Sequence, residues 1–325
     1  MPDSRPGQFL LSVVVPMYNE ESGIGIFFDT IEPILEQVTS NYEIICVNDG
    51  SADSTVELLK QNHLRNPRIR LINLSRNFGK ELATTAGLDH ASGDAIVLID
   101  ADLQDPPELI PDMVDRWMDG YDMVGAIRSD RSSDSFGKRV SANLFYRIIG
   151  KLSETPLPAN AGDFRLMDKR VVAALKRLPE RTRFMKGLFA WLGFRQTMLY
   201  FSRQPRAAGS SKWAFWKLWN FALEGIFSFS TFPLRIWTYM GMITAFFAMC
   251  YMFFLIFRTL IIGVDVPGYA SVLVTILFFS GLNMVGLGII GEYLGRVFIE
   301  VKQRPLYLVQ ERVGFDEEKS DGGQP

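Results

Sequence analysis

Short apolar runs of strand length alternate with stretches of helical period over about the first 130 residues. Residues 11–16 (LSVVVP), 42–48 (YEIICVN), 69–74, 95–99 (AIVLI) and 121–127 are apolar and rich in β-branched side chains. That is the pattern of strands buried on both faces. Residues 27–38, 54–64 and 79–90 read as helices between them, and a further helix opens at Pro106-Pro107, where proline is tolerated. Ser54 and Glu57 have the spacing of a capping box. Strands alternating with helices predict an α/β domain with a mostly parallel sheet. In such sheets ligands bind beyond the carboxyl ends of the strands.

The pattern changes at about residue 235, after which charge nearly vanishes until about residue 290. Segments 234–262 and 270–290 are each long enough to cross a bilayer core, which takes about 20 apolar residues. Two transmembrane helices are expected there. Arg203, Arg206, Lys212, Lys217 and Arg235 precede them, and Arg296, Lys302, Arg304 and Arg312 follow. That distribution places both termini in the cytoplasm and the link at 263–268 outside. Segments 136–152 and 212–229 mix basic and aromatic residues and read as amphipathic helices in the headgroup plane. The alternative for each is a core-facing helix of a soluble domain. The expected division is an α/β domain at 1–211, a juxtamembrane helix at 212–231, a two-helix membrane domain at 232–293 and a cytoplasmic tail at 294–325. The stretch after Phe315 is expected to be disordered. The first ten residues have no secretory signal pattern.

Composition narrows the chemistry. A formal net charge of −2 excludes a nucleic-acid partner, which would need a basic face. Two cysteines and two histidines exclude a metal cage built from those residues. Any metal must be a hard ion held by carboxylates.

The carboxylates cluster suggestively. Asp100 and Asp102 follow the run AIVLI, Asp49 follows YEIICVN, and Glu20 follows the first run. Three parallel strands would deliver these acids to one sheet edge. Two acids at i and i+2 repel each other, and a divalent cation that also binds phosphate oxygens relieves the repulsion. Taken alone, the Asp-x-Asp pair is also compatible with a solvated acidic turn.

The segments VVVPMYNE, VNDGSADST, SRNFGKELATTAG and DADLQDPPE together resemble family 2 glycosyltransferases of the GT-A fold. NAGDFRLMD and RAAGSSKW, with two spans at the C-terminal end, narrow the resemblance to polyprenyl-phosphate glycosyltransferases of the GtrB type, the bactoprenol glucosyltransferases. Dolichol-phosphate mannose synthase and the aminoarabinose transferase ArnC are related. The resemblance implies that Pro16, Tyr18, Glu20 and Asp49 bind the nucleotide. It implies that Asp100 and Asp102 serve the diphosphate and a Mg²⁺ or Mn²⁺ ion, with Asp102 the more direct ligand. The resemblance also implies that Gln104 lies near metal and sugar and that Asp163 is the acid on the acceptor side. By the same resemblance Arg206, Ser210 and Lys212 belong to a cationic stretch facing phosphate, and Arg128 and Arg131, at segment 129–135, are further candidates to reach it. Simple packing of Tyr18, capping of the next helix by Gln104 and a purely topological role for Lys212 are the alternatives.

The implied reaction is a metal-dependent, inverting transfer, with UDP-glucose the first choice of donor and polyprenyl phosphate the acceptor. GDP-mannose and UDP-amino sugars are alternative donors. A phosphate monoester has a second pKa of about 6, so it needs little from a general base, and Asp163 is expected to orient the acceptor. A processive polysaccharide synthase would carry Gln-x-x-Arg-Trp, and the one Arg-Trp pair, Arg116-Trp117, lies too early. A transporter would need ionisable groups at the centres of its spans, and these spans have none. The expected location is a bacterial inner membrane. The expected state is a homo-oligomer, a tetramer by the resemblance, packed through Gly281, Gly286, Gly288, Gly291 and Gly295.

Overall fold

The computed structural model describes residues 7–128, 161–178, 180, 181, 183, 185–201, 232–262 and 268–315. The chain divides into two compact units, one of residues 1–147, 155–213 and 304–325, the other of 148–154 and 214–303.

The first unit is built on an eight-stranded sheet of order β7-β5-β6-β4-β1-β2-β3-β8. Its strands are β1 (Leu11–Met17), β2 (Tyr42–Asn48), β3 (Ile69–Leu74), β4 (Ala95–Leu98), β5 (Met123–Arg128), β6 (Ala161–Asp168), β7 (Gln196–Phe201) and β8 (Val309–Val313). Strands β4, β1, β2 and β3 run parallel, as do β5 and β7. Strands β6 and β8 run antiparallel to their neighbours. The mostly parallel α/β expectation is met. Strand β1 is buried almost throughout and β2 throughout, which explains why their sequences are apolar runs without alternation.

Four helices follow the first four strands: α1 (Ile24–Val38), α2 (Thr55–Arg65), α3 (Lys80–His90) and α4 (Ile110–Met118). Phe27, Phe28, Ile31 and Leu35 of α1 are fully buried. They recur at helical spacing and give α1 its core-facing stripe. The segment opening at Pro106 begins as a 3₁₀ turn, Pro107–Leu109, and continues as α4. On α4, Trp117 is buried edge-on against Phe9, with ring centroids 5.1 Å apart. Two shorter helices, α5 (Lys169–Lys176) and α6 (Met185–Trp191), follow β6.

The Ser54–Glu57 capping box is not made, because Ser54 has near-helical torsions (φ −77, ψ 14) and makes no side-chain cap. Asp53 takes its place: its Oδ1 accepts from the Thr55 N–H at 3.1 Å and from the Thr55 hydroxyl at 2.6 Å. Strand β8 lies within the segment read from sequence as a tail. There the chain returns after the long helices and covers the β3 edge of the sheet.

The second unit contains α7 (Phe232–Ile262) and α8 (Tyr269–Lys302), of 31 and 34 residues. They cover both segments expected to span a bilayer. Among the described residues, no helix is long and apolar enough to cross a membrane. Many large apolar side chains on α7 and α8 are nevertheless exposed, among them Phe246, Phe257, Leu260, Phe278 and Val301. A side chain at Gly286 would collide with the Trp237 indole, its Cβ lying 2.0 Å from Nε1. Gly286 therefore serves a close approach of α7 to α8 within this chain. Gly281, Gly288, Gly291 and Gly295 have nothing within 4 Å of such a Cβ.

Candidate active site

A crevice of about 330 Å³ opens at the carboxyl ends of β1, β2 and β4, lined by Pro16, Tyr18, Glu20, Asp49, Asn77, Lys80, Asp100 and Asp102 among others. This is the sheet edge at which the sequence placed its acids.

The loops after β1 and β2 are stitched together. Asn19 adopts a left-handed conformation (φ 55), which asparagine tolerates. Its amide oxygen accepts from the Ala52 N–H at 2.9 Å, and its own N–H donates to Ser51 Oγ at 2.9 Å. The Glu20 N–H donates to Thr55 Oγ1 at 3.0 Å. Tyr18, 48% exposed, is left standing at the crevice wall. Asp49 is 3% exposed, and its carboxylate accepts from the backbone N–H groups of Phe78 at 2.7 Å and Gly79 at 2.9 Å. Burial pushes its pKa up, while those two amides pull the other way. Asp49 therefore fixes the loop that opens α3. Gly50 makes this approach possible: it sits at φ +66, and a Cβ there would lie 2.4 Å from the Arg76 carbonyl carbon.

Asp100 and Asp102 leave the end of β4 in a turn that holds Leu103 at φ 51, an unfavourable region for a branched side chain. Packing of Leu103 against the core holds it there. Asp102 is exposed, and its Oδ1 accepts from the Gln104 N–H at 3.1 Å. Asp163 comes from β6. Leu98 pairs with Arg165 in the antiparallel register of β4 and β6. Continuing that register two residues further sets Asp163 across from Asp100.

Lys80, in the first turn of α3, joins the two acids. Its Nζ lies 2.7 Å from Asp100 Oδ2 and 2.7 Å from Asp163 Oδ2. Lys186 of α6 approaches the other Asp163 oxygen at 3.8 Å. Burial alone would raise the Asp163 pKa, but Lys186 and Lys80, with Arg165 behind them, hold it down at about 2. Asp100 is shifted up, first by burial and then by Asp163 and Asp102, against the pull of Lys80. Glu20 is also shifted up, by burial and then by Asp102 and Asp100. Glu81 is pushed up to about 7 by burial and by Asp163. Arg165 is almost fully buried, donates to the Gly162 carbonyl at 2.8 Å, and lies 3.8 Å over the Phe189 ring. That cation–π contact offsets part of its desolvation.

Pro16, Tyr18, Glu20, Asp49, Asp100 and Asp102 thus share one crevice, and Asp163 reaches it through Lys80. Gln104 contributes its backbone N–H to Asp102. Arg128 is the last residue of β5, in register with Phe201 of β7. Arg131, Arg206, Ser210 and Lys212 lie outside the described residues, as do segments 136–152 and 212–229. Lys80, Glu81, Arg165 and Lys186 were not singled out from the sequence. Lys80 and Glu81 did carry a signal, as a charged pair opening a helix whose next seven residues, LATTAGL, are uncharged. Lys186 carried none.

Among the described residues, no group of three or more acidic, histidine or cysteine side chains could hold a metal. The pair Asp100 and Asp102 still fits a hard ion, because Mg²⁺ is usually held by one or two carboxylates together with substrate phosphates. Asp102 suits direct contact better, since Asp100 is engaged by Lys80.

In a mostly parallel α/β sheet ligands bind beyond the carboxyl ends of the strands, and here that edge carries the acid-lined crevice. Residues 12–175 match the family model described as glycosyl transferase family 2. The chain is 55% identical over 306 residues to an uncharacterised glycosyltransferase of Synechocystis, covering 94% of this chain and 96% of that one. It is 48% identical over 300 residues to the SfII prophage-derived bactoprenol glucosyl transferase of Shigella flexneri, covering 92% and 97%. Among solved structures, glucosyl-3-phosphoglycerate synthase from Mycobacterium tuberculosis, in complex with Mn²⁺, UDP-glucose and phosphoglyceric acid, is 21% identical with a TM-score of 0.46, covering 69% and 83%. The chain belongs to glycosyl transferase family 2 and is a glycosyltransferase.

Proposed function

We propose that this enzyme transfers one sugar from a nucleoside diphosphate to polyprenyl phosphate at the cytoplasmic face of a bacterial inner membrane, with UDP-glucose as donor. The observation that carries this reading is the 48% identity, across 92% of the chain, with a protein named as a bactoprenol glucosyl transferase.

The site's chemistry agrees. Tyr18 and Glu20, beside the loop that Asp49 fixes, offer an aromatic face and an acceptor group to a base and ribose. A Mg²⁺ or Mn²⁺ ion at Asp102 would offset the charge that builds on the leaving diphosphate. Asp163, with its pKa near 2, stays ionised at neutral pH and is a poor proton acceptor there. It is suited to orienting a cation-bound phosphate beside the sugar. The acceptor phosphate is largely deprotonated at pH 7 and attacks the anomeric carbon directly. A single displacement inverts configuration and needs no covalent enzyme intermediate.

Membrane insertion of α7 and α8 completes the reading. The near absence of charge in segments 234–262 and 270–290 and the basic residues on their flanks support it, as do the exposed aromatic and aliphatic side chains, which water would not favour. A homo-oligomer, with a tetramer as the form to test, would cover part of that surface. The decisive assay mixes purified enzyme with UDP-glucose, Mg²⁺ and polyprenyl phosphate and extracts the lipid. Sugar appearing in the lipid phase, abolished by Asp102→Ala and reversibly by EDTA, is expected. Full activity in excess chelator would remove the metal from the account.

A further inference from the structure

An anionic acceptor faces an electrostatic obstacle at this site. Glu20, Asp49, Asp100 and Asp102 line the crevice, with Asp163 beside it, and a nucleoside diphosphate brings more negative charge. Among the described residues that line the crevice, Lys80 is the only base. Its ammonium spans the donor-side acid and the acceptor-side acid at 2.7 Å each. An ammonium has three donor protons, so among the described residues these two contacts leave one uncommitted. Asp163 is further screened by Lys186 at 3.8 Å. Arg165 stands behind, its guanidinium turned to the Gly162 carbonyl and the Phe189 ring.

We propose that Lys80 is a positioning residue of the transfer: its ammonium ties Asp100 to Asp163 and screens Asp163, so that a phosphate monoester can approach the acid-lined crevice. This rests on the reading of the acceptor as a lipid phosphate. The local structure holds Lys80 in place. It opens α3 directly after Gly79, and the Gly79 N–H is fixed by Asp49 at 2.9 Å. The bridge therefore links the nucleotide loop, the Asp-x-Asp turn and β6 through one side chain. Lys80 acts through Asp163, so the two positions must be coupled. Removing the ammonium should harm acceptor binding while Asp163 is charged and matter little once Asp163 is neutral.

The test is a double-mutant cycle on the full-length protein in detergent. Affinity for a short-chain polyprenyl phosphate is titrated in the presence of UDP, beside nucleotide affinity and melting temperature. Lys80→Met is expected to weaken acceptor binding by about ten-fold or more in the parent, but by less than about three-fold in an Asp163→Asn background, charges within one network being strongly non-additive. Nucleotide affinity should change less than acceptor affinity, and Lys80→Arg should recover most of the acceptor affinity. Equal losses in both backgrounds, or no loss, would overturn the proposal. Failure of both Lys80→Met and Lys80→Gln to fold would make the bridge structural and overturn it too. A parent that binds and glucosylates no lipid phosphate would instead refute the proposed function, and this inference with it.

Discussion

Asp163 and Asp49 are both acids at the sheet edge, yet their surroundings give them different work. Asp163 is paired with ammonium groups from two helices, whereas Asp49 is spent on two backbone N–H groups. Asp163→Asn should therefore depress transfer strongly while leaving nucleotide affinity within a few-fold of the parent. Asp49→Asn should weaken nucleotide binding by about 1.5–3 kcal/mol, the worth of a hydrogen bond to a charged group, because it loosens the loop at 76–79. Calorimetry and turnover assays separate the two, and lost donor binding in Asp163→Asn with normal turnover at saturating donor would reverse the roles. The Asp163 pKa, about 2 when folded, also sets a pH dependence. It lies below the unfolded value of about 3.9, so the stability it contributes is complete above that value and is lost as pH falls toward about 2. Acid unfolding of Asp163→Asn should be flatter in that window. Glu20, Asp49, Asp100 and Asp102 were legible in the sequence because each follows an apolar run, whereas Asp163 was singled out only by the family resemblance. Their partners were not, since Lys186 meets Asp163 only through the placement of α6 against β6.

At the scale of elements, the parallel strands and their helices were legible because burial on both faces leaves a continuous apolar signature. Strands β6, β7 and β8 were not. Strand β6 carries Asp163, Arg165 and Asp168 within a buried strand, their charges met by Lys80, by backbone carbonyls and by the Trp117 indole. Strand β8 reads VQERV, alternates between half-buried and exposed, and has no apolar run to announce it. It nevertheless covers the edge of β3, a position where an open ladder invites wrong pairing. Val313 packs against the core while Glu311 pairs with Lys60 at the surface. Val313→Asp should lower the stability of the catalytic domain by about 1–3 kcal/mol, since it brings an unpaired charge to the core's margin. Glu311→Ala should cost less than about 0.5 kcal/mol, as half-exposed ion pairs do. Thermal melts of the two variants measure the difference, and equal melting temperatures would mean that β8 adds nothing to the sheet.

At the scale of the whole molecule, the chain divides into a glycosyltransferase unit and a second unit that carries the two long helices α7 and α8. Basic residues on both flanks of segments 234–262 and 270–290 set the expected orientation. A reporter fused after Phe315 should be cytoplasmic, and one inserted at Val266 should be external. A C-terminus on the outside would discard the two-span arrangement. The central claim is the transfer itself, and mass spectrometry of the lipid extract tests it most directly. Enzyme supplied with UDP-glucose, Mg²⁺ and polyprenyl phosphate should yield the lipid phosphate heavier by one hexose, and Asp102→Ala should yield none. Unchanged lipid alongside a growing polysaccharide or a glucosylated soluble acceptor would contradict the account.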